Sequence, residues 1–259
     1  MKKISIITAC LNPTSFELLR SLRNNSSRGG IEWIVIDGGT DEVAYPVLRQ
    51  IKQQCDVFAV EQGSSIYEAL NVGFDYVTTC WVWIMGLDDS IASGAAIERL
   101  VNYLGALEAD VYWCVGGINQ ISWRTERCRV FTPRANLTQM PRQFSGVMAI
   151  SHQAILARSN IVGDLYRFDT RFKIAADYHL VLRLMQSFSK VSPFTEVVAV
   201  VGSNGISNKP QNAFLVFWEY YLIRREILRK NYPSRYWIKN FLKVLVRASV
   251  QTFVAFCKR

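Results

Sequence analysis

Two adjacent aspartates, Asp88 and Asp89, follow an uninterrupted apolar run at residues 80–85 (CWVWIM), within the loop GLDDS. One aspartate there suits a helix N-cap. Two neighbouring carboxylates at a buried strand end repel each other unless a cation or hydrogen-bond donors compensate. Hard oxygen ligands in that setting suit Mg2+ or Mn2+, which keep waters and take substrate phosphates as further ligands. The pair points to chemistry on a phosphate-bearing substrate. The common glycine-rich phosphate loops are missing: the chain has no GxGxxG and no GxxxxGK[ST]. Gly38-Gly39 alone is too little to cradle a pyrophosphate.

An acidic pair can work only if a rigid frame presents it. Short β-branched or apolar runs at residues 3–9, 31–36, 57–60 and 80–85 predict strands. Helical patterns separate them, over about 17–23, up to 54, 66–77 and 93–104. Thr14 and Glu17 have capping-box spacing before the first of these helices. The order β-α-β-α-β-α-β-α predicts an α/β fold with an open, mostly parallel central sheet and helices on both faces. Ligands of such sheets bind beyond the carboxyl ends of the strands. Three polar clusters fall there: Asn12, residues 37–41 and Asp88-Asp89. Further on, strands are predicted at 111–115, 129–131 and 196–201, a helix at 174–186, and loops at 132–145 and 202–211. Two amphipathic helices close the chain.

The 259 residues carry a net charge of +9, and half are hydrophobic. Residues 213–259 hold ten Lys or Arg and two acids, so nearly all the net charge sits in that segment. We expect a near-neutral domain over 1–212 and a basic amphipathic segment over 213–259, and no nucleic-acid partner. The six cysteines include no CxxC, and with two histidines there is no zinc signature, which suits a reducing compartment. The opening MKKISIITACL reads as a first buried strand, because its apolar run stops at Asn12-Pro13. No window is apolar and uncharged for about 18 residues, so no membrane span is expected.

Several segments in order resemble family 2 glycosyltransferases of the GT-A fold. They are the strand running into Asn12, IVIDGGTD (34–41), SIYEALNVG (65–73) and GLDDS (86–90). SHQAI (151–155), YRFDTRFKIAADYHL (166–180) and GISN (205–208) are similar to a subgroup from bacterial exopolysaccharide and colanic-acid-type clusters. The resemblance covers about residues 1–210. It implies a nucleotide-sugar donor, Mn2+ or Mg2+, and a glycan or lipid-linked acceptor. Thr8, Ala9 and Asn12 would lie along the nucleoside, and Asp37 with Gly38 would meet the base or ribose. Asp88 would serve the ribose side and Asp89 the metal, and Asp177 matches the catalytic base. His152 falls in a His-Gln motif near the active site and is either an acid–base group or a structural histidine. Tyr67 and Asn71, one turn apart, either touch the donor or pack. The DGGT loop is shorter than the family's usual form, and Thr78-Thr79 stands where a lysine or glycine-rich run is usual.

The residues themselves leave bland alternatives. Asp177 is either a surface residue of an amphipathic helix or a carboxylate entering a cleft behind the small apolar Ile174-Ala175-Ala176. His179, two residues on, points off that face and is expected to be structural. Trp81 and Trp83 are expected in the core. Arg235, Lys239, Lys243 and Arg247 recur every four residues opposite Trp237, Phe241, Leu242 and Leu245, as in an interfacial helix. A packed helix with a solvated basic face gives the same pattern. The expectation is an inverting, metal-dependent glycosyltransferase, cytoplasmic and peripheral on the inner face of the membrane. The rivals are a nucleotidyltransferase and an inactive membrane-bound assembly partner.

Overall fold

β1 (Ile4–Cys10) pairs in parallel with both β2 (Ile31–Asp37) and β4 (Trp81–Ile84), and β2 pairs in parallel with β3 (Val57–Val60). In this computed structural model residues 2–122, 127–133, 150–163, 165–202, 205, 207 and 209–228 are described. Every residue of β2 and β4 is buried. Helices cover both faces, which is why these strands read as continuous apolar runs without alternation. Trp81 and Trp83 lie in the core, as expected. Glu32, within β2, is buried and accepts hydrogen bonds from the hydroxyls of Ser5 (2.5 Å) and Thr78 (2.6 Å). It thereby satisfies its charge locally.

Helices α1 (Glu17–Arg23), α2 (Val47–Gln54), α3 (Ile66–Phe74) and α4 (Gly94–Ala106) follow the predicted pattern. The expected capping box at Thr14 does not form: α1 has Phe16 at its N-cap and no side-chain cap. Its entry is tied instead to the aspartate loop, since Leu18 N–H donates to the Leu87 carbonyl at 3.1 Å. The capping box of this fold belongs to α3. There Ser65 Oγ accepts from Glu68 N–H, and the Glu68 carboxylate accepts from Ser65 N–H at 2.8 Å.

The second half departs from parallel winding. The sheet order is β3-β2-β1-β4-β8-β6-β9-β5, with β5 (Ser90–Ile91), β6 (Trp113–Ser122), β8 (Ile155–Arg158) and β9 (Ser192–Gly202); β7 (Arg127–Phe131) pairs with β6. β8 runs antiparallel between β4 and β6, whereas β6 and β9 are parallel. The β6–β9 register shifts around Gly117, where an added Cβ would come within 2.8 Å of the Glu196 carbonyl. Glycine is required there because a backbone occupies the side-chain space.

Helices α5 (Ala176–Ser187) and α6 (Ala213–Leu228) pack together through the stacked rings of Tyr178 and Tyr220, 4.3 Å apart. α6 therefore begins the predicted C-terminal segment while packed on the domain. The basic stripe from Arg235 to Arg247 and most of the predicted 132–145 loop lie outside the described residues. Among the described residues no helix is long and apolar enough to cross a membrane.

Candidate active site

The parallel half places three strand ends together, and β4 delivers the two aspartates. Asp89 is 2% exposed while Asp88 is exposed. Asp89 Oδ2 accepts from Gly86 N–H at 2.8 Å and from Gln153 Nε2 at 3.3 Å. A Cβ at Gly86 would stand 2.7 Å from Asp88 Oδ1 and 3.1 Å from Asp89 Oδ2. Both carboxylates thus turn toward the same bare stretch of backbone. Burial, then the charge of Asp88, pushes the Asp89 carboxyl up to about 6, against the opposing Gly86 N–H, His152 and Gln153. A buried carboxylate raised this way beside a second, open one is the donor set a hard divalent cation satisfies. The residues therefore fit Mg2+ or Mn2+.

The antiparallel course of β8 supplies the opposite wall. Trp83 pairs with Leu156, so the residues entering β8 lie beside the carboxyl end of β4. Gln153 is fixed there, its carbonyl accepting from Trp83 Nε1 at 2.8 Å and its side-chain oxygen accepting from Ser151 Oγ. His152 Nδ1 lies 3.3 Å from Asp177 Oδ2. Burial pulls the His152 ring down, but the hydrogen bond and charge of Asp177, then Asp89 and Asp88, outweigh it and raise its proton affinity. Asp177 sits in the first turn of α5, its Oδ1 accepting from Tyr178 N–H at 2.7 Å. The structure thus brings Asp88, Asp89, His152 and Asp177 to one site.

The ends of β1 and β2 form a neighbouring shelf. Thr8 is fully covered, and its hydroxyl accepts from Trp33 Nε1 at 3.0 Å. Its side chain is a core group of β1. Asp37 is 1% exposed, and its acceptor sites are taken by Gly39 N–H, Thr40 N–H, the Thr40 hydroxyl and, at 3.4 Å, the Cys10 thiol. These bonds fold the loop at the carboxyl end of β2. Gly38 is buried, its N–H donating to the Cys10 carbonyl. Ala9 is half-buried. Asn12 is exposed in the left-handed region (φ 50°), with its N–H on Thr40 Oγ1 at 2.9 Å. Asparagine tolerates that backbone where most side chains do not.

Tyr67 and Asn71 reach across to the segment leading into α5. Tyr67 OH donates to the Ile174 carbonyl at 2.6 Å. The Asn71 amide donates to the Phe168 carbonyl and accepts from the Phe168 N–H, both at 2.9 Å. Their polar groups are engaged by protein backbone, as the packing alternative required. His179 is buried against Phe172, and burial lowers its proton affinity, in keeping with its expected structural place. It also belongs to a second cluster, Asp169–His179–Glu226, whose ligand atoms could reach an ion. Arg171 already bridges Asp169 (2.6 Å) and Glu226 (2.9 Å), so that cluster carries its own cation.

Three contributors went unassigned in the sequence: Gln153, Thr40 and Glu219. Glu219 left a signal, being the one acid in the apolar run AFLVFWEYYLI. A lone acid in such a run is rarely buried unless it is paired.

Relatives share this framework. An uncharacterised glycosyltransferase of Mycobacterium tuberculosis is 25% identical over 183 residues, 70% of this chain and 68% of its own. A PGL/p-HBAD biosynthesis glycosyltransferase of Mycobacterium bovis is 22% identical over 193 residues, 70% of this chain and 69% of its own. Among solved structures, S. aureus TarS 1-349 in complex with UDP-GlcNAc superposes with a TM-score of 0.62 at 14% identity, covering 93% of this chain and 72% of that one. The mannosyltransferase PcManGT of Pyrobaculum calidifontis, in complex with GDP-Man and Mn2+, gives 0.61 at 15% identity, covering 95% and 69%. These two likenesses establish the GT-A fold. The model of Glycosyl transferase family 2 matches residues 5–165, more than half of the chain, and the protein belongs to that family of glycosyltransferases.

Proposed function

We propose that the chain moves a glycosyl group from a nucleoside diphosphate sugar to an acceptor hydroxyl, with inversion at the anomeric carbon. The observation that carries this reading is that the His152–Asp177 pair lies beside the Asp88-Asp89 loop at the carboxyl end of β4, with Gln153 bonded to Asp89. Asp177 takes the acceptor hydroxyl proton, the acceptor oxygen forms a bond to the anomeric carbon, and the bond from that carbon to the diphosphate oxygen breaks. His152 orients Asp177. Asp89, with Asp88, would hold Mn2+ or Mg2+, which supplies Lewis-acid stabilisation of the negative charge on the departing diphosphate. Asn12, Ala9 and Gly38 form the shelf on which the nucleoside rests; Tyr67 and Asn71 hold the acceptor-side loop in place. The named complexes of the structural neighbours favour UDP- or GDP-linked donors. The basic, aromatic sequence beyond residue 228 favours an acceptor on a lipid carrier, at a membrane surface on the cytoplasmic side, in polysaccharide assembly.

The test is a thermal-shift and hydrolysis panel of UDP-glucose, UDP-GlcNAc and GDP-mannose with Mn2+, on wild type and Asp177→Asn. The wild type should be stabilised by one donor, by about 2.7 kcal/mol at a hundredfold excess over its Kd, and should release nucleoside diphosphate slowly. Asp177→Asn should bind that donor equally well and turn it over about 10²–10⁴-fold more slowly. An unchanged rate in Asp177→Asn defeats the base assignment. Equal turnover in excess chelator defeats the metal.

A further inference from the structure

Glu219 projects from the middle of α6, far along the chain from Asp177, and is 4% exposed. Its carboxylate accepts from three consecutive backbone amides of the turn that enters α5. Lys173 N–H reaches Oε1 at 2.8 Å, and Ile174 and Ala175 N–H reach Oε2 at 3.0 and 2.8 Å. α5 has alanine at its N-cap and no side-chain cap of its own, so this borrowed carboxylate does the capping. A carboxylate is favoured there by the helix dipole and by charge-assisted hydrogen bonding. The turn is gripped from the other side as well, because the Ile174 carbonyl accepts from Tyr67 OH at 2.6 Å. Asp177 follows two residues after the last amide that Glu219 holds. Nearby, Arg224 Nε donates to Tyr178 OH at 2.8 Å, so α6 also engages the residue after Asp177.

We infer that Glu219 is a positioning residue of this enzyme: by clamping the 173–175 amides it sets the direction from which Asp177 meets the acceptor, making α6 part of the site. This rests on the reading of Asp177 as the base. The geometry has few alternatives, because a buried carboxylate with three backbone donors cannot rotate without leaving those donors unpaired. Removing it leaves the first turn of α5 free to choose its own capping geometry, and a base displaced by an ångström loses much of its effect.

The test uses the full chain, the donor from the panel above that stabilises wild type, and three variants: Glu219→Gln, Asp177→Asn and the double. Glu219→Gln keeps the shape but turns one acceptor into a donor facing backbone N–H groups. Its kcat for donor hydrolysis should fall about tenfold or more while the donor KM stays within about twofold. Hydrogen exchange of a peptide spanning residues 168–180 should rise, with peptides from β1 and β2 unchanged. The double variant should be no slower than Asp177→Asn alone, because both changes act through one group. Wild-type kcat in Glu219→Gln beside a slow Asp177→Asn overturns the inference alone. So does a double variant slower than Asp177→Asn by the full Glu219→Gln factor. Full turnover in Asp177→Asn overturns the base reading and the inference with it. Should Glu219→Gln fail to fold, Glu219→Asp, which keeps the charge but shortens the reach, is judged by the same readouts.

Discussion

His152 Nδ1 and Asp177 Oδ2 meet at 3.3 Å, joining the turn before β8 to the first turn of α5. The contact makes the histidine a reporter of the aspartate. Asp177 raises the proton affinity of His152 in the fold, so the stabilisation is fully present below the ordinary histidine value and is lost as pH rises through the raised one. We expect the His152 ring signal to titrate above the ordinary histidine range in wild type, and lower in Asp177→Asn. The chain has only two histidines, so a His179→Gln spectrum assigns the pair. An identical His152 titration in both proteins would show that the two side chains do not interact in solution.

Asp89 shifts stability with pH in the same direction, for a different reason. Its folded value, about 6, lies above the ordinary carboxylate value of 3.8, so the native state holds the proton more tightly than the unfolded chain. Without a divalent ion, its contribution to stability should decline as pH rises from about 4 to 6 and stay low above that, by on the order of 3 kcal/mol. Asp89→Asn should therefore unfold at higher urea than wild type at pH 7.5 in chelator. Added Mn2+ should raise the wild-type midpoint and leave the variant where it was. A variant less stable than wild type in chelator contradicts the buried, cation-seeking carboxylate.

Gly86→Ala tests the same loop by steric means. The new Cβ would press on Asp88 Oδ1 at 2.7 Å and on Asp89 Oδ2 at 3.1 Å, and one carboxylate must swing away. The fold should survive, with a loss of about 1–3 kcal/mol for the crowding. Mn2+-dependent donor binding should weaken at least as much as in Asp88→Ala. Calorimetry of Mn2+ with UDP or GDP reads both, and undiminished affinity would show that the two oxygens do not share the ion.

The membrane reading is separable from catalysis. Lys239→Glu, Lys243→Glu and Arg247→Glu together reverse the basic stripe without touching residues 1–228. Wild type should float with anionic vesicles and lose binding as salt shortens the Debye length to about 8 Å at physiological ionic strength. The triple variant should stay unbound while keeping wild-type donor hydrolysis. Equal flotation of the two proteins removes the membrane claim.

What the sequence discloses here follows the range of the forces involved. The strand at residues 57–60 and the start of α3 at Ile66 coincide with the structure, because a short apolar run and a Ser65–Glu68 cap are local signals. β5 and β8 escaped, at two and four residues, because they become strands only through partners far along the chain. Thr14 has the spacing of a cap, yet the Leu87 carbonyl claims the start of α1. Asp37 looks like a binding carboxylate by type, and only the loop folding back on it uses up its acceptors. Glu219 shows the converse: an acid counted with a basic tail holds the turn in front of Asp177.

β5 gives the molecule an order of assembly. Ser90 and Ile91 pair with Val200 and Ala199, more than a hundred residues downstream, and Gln153 from the turn before β8 completes the hold on Asp89. As the chain leaves the ribosome, β1 to β4 can pair as soon as they emerge. β5, which follows the acidic loop, stays without its strand partner until β9 arrives. Contacts so distant in sequence close late. A chain released before β9 therefore presents a sheet whose β6 edge is bare and whose β5 has no partner, which makes truncated products prone to aggregation.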